Sequence, residues 1–181
     1  MTGYGHWLPN DPRGSGSTEV RKDDLKDLGE VHFGRKRVQP PRDELRSFFR
    51  VVEPKLEHPM LWFDAKMRTA IADGFRRAIA MHRYSVWSCA ILRNHAHLVV
   101  RTHKNRSEEM WDDFAREAKE SLRAFAEVPP NHPVWSHRPY KVFLITNDEI
   151  CGRIRYVNEN PIKERLIAQN WDFVKPFKPT T

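Results

Sequence analysis

Apolar positions are unevenly spread along this chain. Residues 1 to about 60 carry Gly, Pro and charge in runs such as GYGHWLPNDPRGSGSTEVRKDD and HFGRKRVQPPRDE, with neither a helical nor a strand period. They predict an extended, loop-rich arm with one short helix at 41–50. From Asp64 the pattern changes: Met67, Ile71, Phe75, Ala78 and Ile79 recur at helical spacing and predict a helix over 64–83. YSVWSCAIL (84–92) and HLVVRTH (97–103) are rich in aromatic and β-branched residues, as two strands joined by a tight turn near Arg93 and Asn94 would be. SEEMWDDFAREAKESLRAF sets Met110, Trp111, Phe114, Ala118, Leu122 and Phe125 along one side of a second helix, with Ser107 as its N-cap. After the Pro-rich VPPNHPVW come a short strand, KVFLI at 141–145, and a third helix capped by Asn147 or Asp148 and stopped by Pro161. Trp171, Phe173 and Phe177 in the tail are expected to pack over the domain.

Helix, strand, strand, helix, strand, helix predicts an α+β fold, an antiparallel sheet with helices on one face. A closed ferredoxin-like sheet needs one more strand before the first helix, and the N-terminal arm barely supplies it. At 181 residues a single domain is expected, with the loop-rich arm or insertion at 1–63, a core at 64–170 and a tail at 171–181.

The net charge of +7, from 31 Lys and Arg against 24 Asp and Glu, favours a polyanionic partner. Cys89 and Cys151 have neither disulfide-framework nor metal-site spacing; both read as buried thiols in a reducing compartment. MTGYGHWLPNDPRG has no apolar core behind a basic tip, and no later apolar run approaches the ~20 residues of a membrane helix. A soluble intracellular protein with no membrane partner is the expectation.

The stretch RNHAHLVVR places two imidazoles two residues apart at the head of a strand. Side chains alternate, so His95, His97, Val99, Arg101 and His103 share one face, while Ala96, Leu98, Val100 and Thr102 form the core face. The odd face suits a metal ion beside a bound phosphate, or else it is the wet side of a strand whose histidines have no task. No Cys or other His lies at a spacing that completes a four-ligand zinc site. Imidazoles with an amide or carboxylate oxygen and open water positions suit a six-coordinate divalent ion, with manganese above magnesium in affinity.

In DEICGRIRYVNENP, Ile150, Ile154 and Val157 form the stripe to be buried. Arg153, Tyr156 and Asn160 share a different face, so a guanidinium, a phenol and an amide are presented together, away from the core. On a lone helix these residues are equally what packing and a solvated basic face produce.

With both pieces in hand, the chain resembles the HUH-motif single-tyrosine transposases, and within them the REP-associated tyrosine transposase branch. The likeness rests on His95-Ala96-His97 in RNHAHLVV, on Tyr156 in RYVNENPIKERL, and on the elements between them; it covers roughly 64–170. YGHWLPNDPRG also looks like the start of many such proteins directly after their first strand, so the expected first strand is truncated to the first few residues, or the sequence starts too late to include it. The resemblance implies a DNA transposase or endonuclease in which His95, His97 and Asn160 bind a divalent metal, Mg2+ or Mn2+, and Tyr156 is the nucleophile. It departs from the family in the small Ala96, and it carries Asn160 where the insertion-sequence branch has Gln.

The implied chemistry is transesterification of single-stranded DNA beside a hairpin, through a 5′-phosphotyrosine and a free 3′-hydroxyl. A free phenol has a pKa near about 10, so deprotonation draws on the metal's charge or on Arg153 or Arg155. Arg101, Lys104, Arg106, Arg153, Arg155, Lys163 and Arg165 are the candidate DNA-binding cations, with Trp135, Tyr140, Trp171 and Phe173 as stacking platforms. A cytoplasmic, nucleoid-associated prokaryotic protein follows from the same resemblance, with a homodimer as one option. Two other readings remain: an idle module of the same fold that binds hairpin DNA or RNA, and a metal-dependent hydrolase in which water replaces the tyrosine.

Overall fold

The computed structural model describes residues 1–8, 10–14, 32, 34–125, 128–136 and 140–179; much of the predicted arm, 15–31, lies outside them. The chain divides into two compact units, one of Met1, Trp62–Pro133 and Lys141–Thr181, the other of Thr2–Leu61 and Val134–Tyr140.

In the second unit, α1 (Arg42–Val52) carries acidic Asp43 and Glu44 in its first turn and Arg50 in its last, charges that complement the helix dipole. It buries Phe48 and Val52 against Leu8, with Phe49 and Leu56 alongside. Residues 2–4 run beside 134–136, tied by Tyr4 N to Val134 O at 2.9 Å and Ser136 N to Thr2 O at 2.8 Å. Buried Asp11 accepts from the Arg13 guanidinium at 2.6 and 2.8 Å, and Arg13 also donates to the His6 carbonyl at 2.6 Å. The described part of the sequence-predicted arm thus has a small core of its own.

The first unit is an α+β assembly. α2 (Ala65–His82) starts where Asp64 accepts from Met67 N at 2.8 Å, a cap worth about 1 kcal/mol. It ends at Arg83 in the left-handed region, φ 59°. α3 (Ser107–Phe125) begins with Ser107 as its first helical residue, not its cap; Glu109 reaches back to accept from Arg106 N at 2.6 Å. The two helices press closely: a Cβ on Gly74 would lie 2.5 Å from Ala118 Cα and the Glu117 carbonyl, so only glycine fits there. Phe75 and Phe114 meet edge to face across the pair, with buried Tyr84 behind Phe114.

β1 (Val86–Ile91) and β2 (Ala96–Val100) pair antiparallel, with Ala90 opposite His97, Cys89 opposite Leu98 and a bulge between Val86 and Ser88. KVFLI at 141–145 is not a strand: it pairs with no other segment among the described residues, and four of its five side chains are exposed. The two sheet edges are occupied otherwise. Met1 and Ala96 exchange both backbone hydrogen bonds, at 2.6 and 2.7 Å, the signature of an antiparallel pair. On the other edge, the Gln169 amide bonds Ile91 N and O at 2.8 and 2.7 Å, and Val174 bridges Val86. The tail is packed as expected, with Phe173 buried, Phe177 against Trp87, and Arg76 of α2 forked to Asp172 at 2.8 Å.

α4 (Asn147–Lys163) is capped by Thr146, whose hydroxyl accepts from Glu149 N while Glu149 accepts from Thr146 N; Asn147 and Asp148 are already inside the helix. Pro161 does not stop it. The missing N–H removes one bond in the last turn only, and Glu164 N still bonds Asn160 O at 3.1 Å. α4 lies on the sheet face of Ala90 and Val99, with Val157 buried between them, Ile154 beside, and Ser88 donating to Asn158 Oδ1 at 2.6 Å. Cys89, Ile91 and Ala96, which point the other way, are buried as well. Both faces of the sheet are therefore covered, in place of the single helical face read from element order.

Candidate functional site

Because α4 covers the odd face of β2, that face is not simply wet: Val99 is buried under Val157, and the histidines lie at its open end. Their rings stand edge to face, centroids 4.8 Å apart, and both are half-buried. The His95 Nδ1 lies 2.7 Å from Asn94 Oδ1, an orienting contact of the kind metal-bound imidazoles make on their other nitrogen. Burial, with smaller contributions from the Met1 ammonium and Arg153, pushes His97 down to about 4. It is a neutral imidazole at ordinary pH, the form that binds metal.

The pinning of α4 by Val157 and Asn158 fixes its rotation, and one residue earlier the phenol of Tyr156 comes to the histidines. The His97 and Tyr156 centroids are 5.8 Å apart, ring edge to ring face. Tyr156 is 41% exposed and so accessible. Arg153 and Lys163 flank its ring, their cationic centres 5.4 and 5.5 Å from its centroid.

Asn160 is one helical turn beyond Tyr156 on the same side, and it is buried at 9% exposure, not presented to solvent. Its side-chain amide nitrogen is buried without a hydrogen-bond partner. A buried polar atom left unsatisfied costs about 1–3 kcal/mol unless water or another group completes it. Nitrogen and oxygen of an amide exchange by a half-turn, so the same position can offer Oδ1. Among the described residues no group of three or more His, Cys, Asp and Glu is placed to hold a metal.

Of the other sequence candidates, Arg155 lies on the opposite flank of α4, lining a cavity of about 710 Å³ with Trp87, Ile154 and Phe177. Arg101 and Lys104 are exposed beyond the far end of β2, and four strand residues put Arg101 about 13 Å from His97. Arg106 is exposed ahead of α3, and Arg165 sits exposed after α4 with φ 56°. His103 leaves the odd face altogether, because β2 ends at Val100; its ring packs on Tyr84 at 4.8 Å. Trp135 and Phe173 are core residues, Trp171 stacks on Phe173, and only Tyr140 of the four aromatics is well exposed. Cys151, read as buried, is exposed on α4; Cys89 is buried, which raises its thiol pKa.

Two participants carry no signal in the sequence reading. Ser88 sets the rotation of α4 through Asn158, and Gly152 lies one turn before Tyr156 with open space where a side chain would be. A Ser in a strand and a Gly in a helix are too common to single out before their neighbours are known.

No family model, curated protein or solved structure matches the chain.

Proposed function

We propose that the protein is a DNA strand transferase or endonuclease of the HUH single-tyrosine kind, acting on single-stranded DNA beside a hairpin, with a ferredoxin-like core. The observation that carries this reading is the 5.8 Å approach of Tyr156 to His97, whose ring stands 4.8 Å from that of His95.

His95, His97 and Asn160 would hold a divalent ion, Mg2+ or Mn2+: neutral imidazole and amide oxygen leave coordination positions open for water and phosphate. Lewis-acid polarisation of a non-bridging phosphate oxygen is the chemistry such an ion supplies when bound. Tyr156 Oη attacks phosphorus, the P–O3′ bond breaks, and the phenolic proton ends on the departing 3′-oxygen. The products are a 5′-phosphotyrosine and a free 3′-hydroxyl. One phosphodiester replaces another, so a second 3′-hydroxyl can reverse the step without nucleotide hydrolysis. Arg153 and Lys163, flanking the phenol, are placed to meet the phosphate charge as it approaches.

The test is covalency. Incubated with labelled hairpin DNA bearing a single-stranded flank and Mn2+ or Mg2+, the protein yields an adduct that survives denaturation, and Tyr156→Phe abolishes it. Binding without an adduct in either form would make the protein an idle binding module; cleavage that ignores the substitution would make water the nucleophile.

A further inference from the structure

Gly152 poses a problem of its own. It sits inside α4, where glycine costs about 1 kcal/mol relative to alanine, yet no atom approaches the place a Cβ would take. Nothing in the fold requires it, in contrast to Gly74, which α3 would strike. The space above exposed Gly152 is an open groove of about 390 Å³ lined by Val142, Phe143, Leu144, Glu149, Arg153 and Tyr156. Phe143 is 76% exposed at its rim, on a segment that forms no strand. Glu149, the acid at its edge, is occupied by the Ile145 and Thr146 amides at 2.8 and 2.9 Å. The groove therefore carries one anion, the Glu149 carboxylate held by backbone amides, and one cation, the Arg153 guanidinium, which also lies over the Tyr156 ring.

We propose that this groove is a subsite for one unpaired nucleobase of the DNA strand, adjoining the phosphate that Tyr156 attacks. The proposal rests on the strand-transferase reading. A flat π-face is what an exposed phenylalanine beside a bare helix backbone accommodates, and single-strand sites combine such platforms with flanking cations. A purely apolar occupant would leave Arg153 without use, and an acidic one would meet the Glu149 carboxylate at the edge. The absent side chain at position 152 keeps the floor open to a planar ring, and the neighbouring phosphate falls between Arg153 and Tyr156. The site holds one base next to the cleavage point, so it confers position dependence on binding and not merely charge attraction.

The experiment uses the full chain and a series of single-stranded hairpin-flank oligonucleotides in which each nucleotide in turn is made abasic. Affinity is read by fluorescence anisotropy and adduct yield on denaturing gels. For the unaltered protein, one abasic position next to the cleaved phosphate lowers affinity roughly tenfold. Gly152→Leu, which fills the groove while favouring the helix, and Phe143→Ala each lower affinity for the intact oligonucleotide to a similar degree and erase the penalty at that one position, with melting temperature unchanged or raised for Gly152→Leu. If adducts form normally and both variants bind every oligonucleotide as the parent does, the subsite is wrong and the transferase reading stands. If the parent protein neither binds nor joins DNA, both fall. If DNA-free protein sediments as a dimer that Gly152→Leu dissociates, the groove belongs to a second copy and the proposal is overturned.

Discussion

His97 and Tyr156 meet edge to face, 5.8 Å between ring centroids, although one belongs to a strand and the other to a helix that starts past residue 146. The phenol is presented to the histidine pair because Val157 and Asn158, the next two residues, are fixed on the sheet.

That fixing is testable at Ser88. Ser88→Ala removes the 2.6 Å bond to Asn158 and is expected to cost about 1 kcal/mol in stability. It lowers the rate of adduct formation while leaving DNA affinity within about twofold, because the groups that meet phosphate are untouched. Equal losses in rate and affinity would show that Ser88 does not act through the placement of Tyr156.

The Asn160 amide gives a prediction of opposite signs. Asn160→Leu removes a buried unsatisfied group and should raise the melting temperature in EDTA, by an amount corresponding to about 1 kcal/mol. The same variant should lose the thermal stabilisation by Mn2+ expected of the unaltered protein, which for saturation at 100 times the dissociation constant is about 2.7 kcal/mol. His97→Ala should lose it too. Persistence of the Mn2+ shift in both variants would remove them from the metal site.

The two helical glycines should respond differently. Gly74→Ala brings a methyl to 2.5 Å from the Ala118 backbone and is expected to destabilise by about 1–3 kcal/mol in chemical unfolding. Gly152→Ala meets nothing and should stabilise by up to about 1 kcal/mol.

His6 adds to the acid sensitivity that half-buried His97 also carries. Burial lowers the His6 pKa below the ordinary 6.5, outweighing the raising effect of its 2.8 Å contact with the Leu61 carbonyl, while Arg13 lowers it further and Glu53 raises it. The unfolded chain therefore takes up the proton first as pH falls. The contribution of neutral His6 to stability is complete above about pH 6.5 and is lost as pH drops through the depressed folded value. His6→Gln should flatten the fall in melting temperature between pH 7 and 5; an unchanged slope would assign it to other groups.

How much was legible follows from the range of each interaction. The helices at 64–83 and 107–125 announce themselves through apolar residues at helical spacing, and α4 was visible from Ile150, Ile154 and Val157 even though its cap was misplaced. Thr146 with Glu149 three residues on is a capping box in plain view, but two better N-cap formers follow it, and only the backbone angles choose among them. KVFLI has every local property of a strand and is none, because a strand exists only through a partner, and both sheet edges are taken by Met1 and by Gln169 with Val174.

By itself, then, the order of residues determined the α+β content, the two strands and their turn, and the chemistry on offer: two imidazoles, a phenol, an amide and nearby cations. These depend on neighbours within a turn of helix or one pleat of strand. Tertiary structure decided that α4 lies over the odd face of β2, so that Tyr156 meets His97 while Arg155 faces away; that Asn160 is buried with its amide unsatisfied; and that Gly152 opens a groove. Those outcomes come from packing among segments far apart in the chain, where the burial of Val157 against Ala90 and Val99 sets a rotation that no local period encodes.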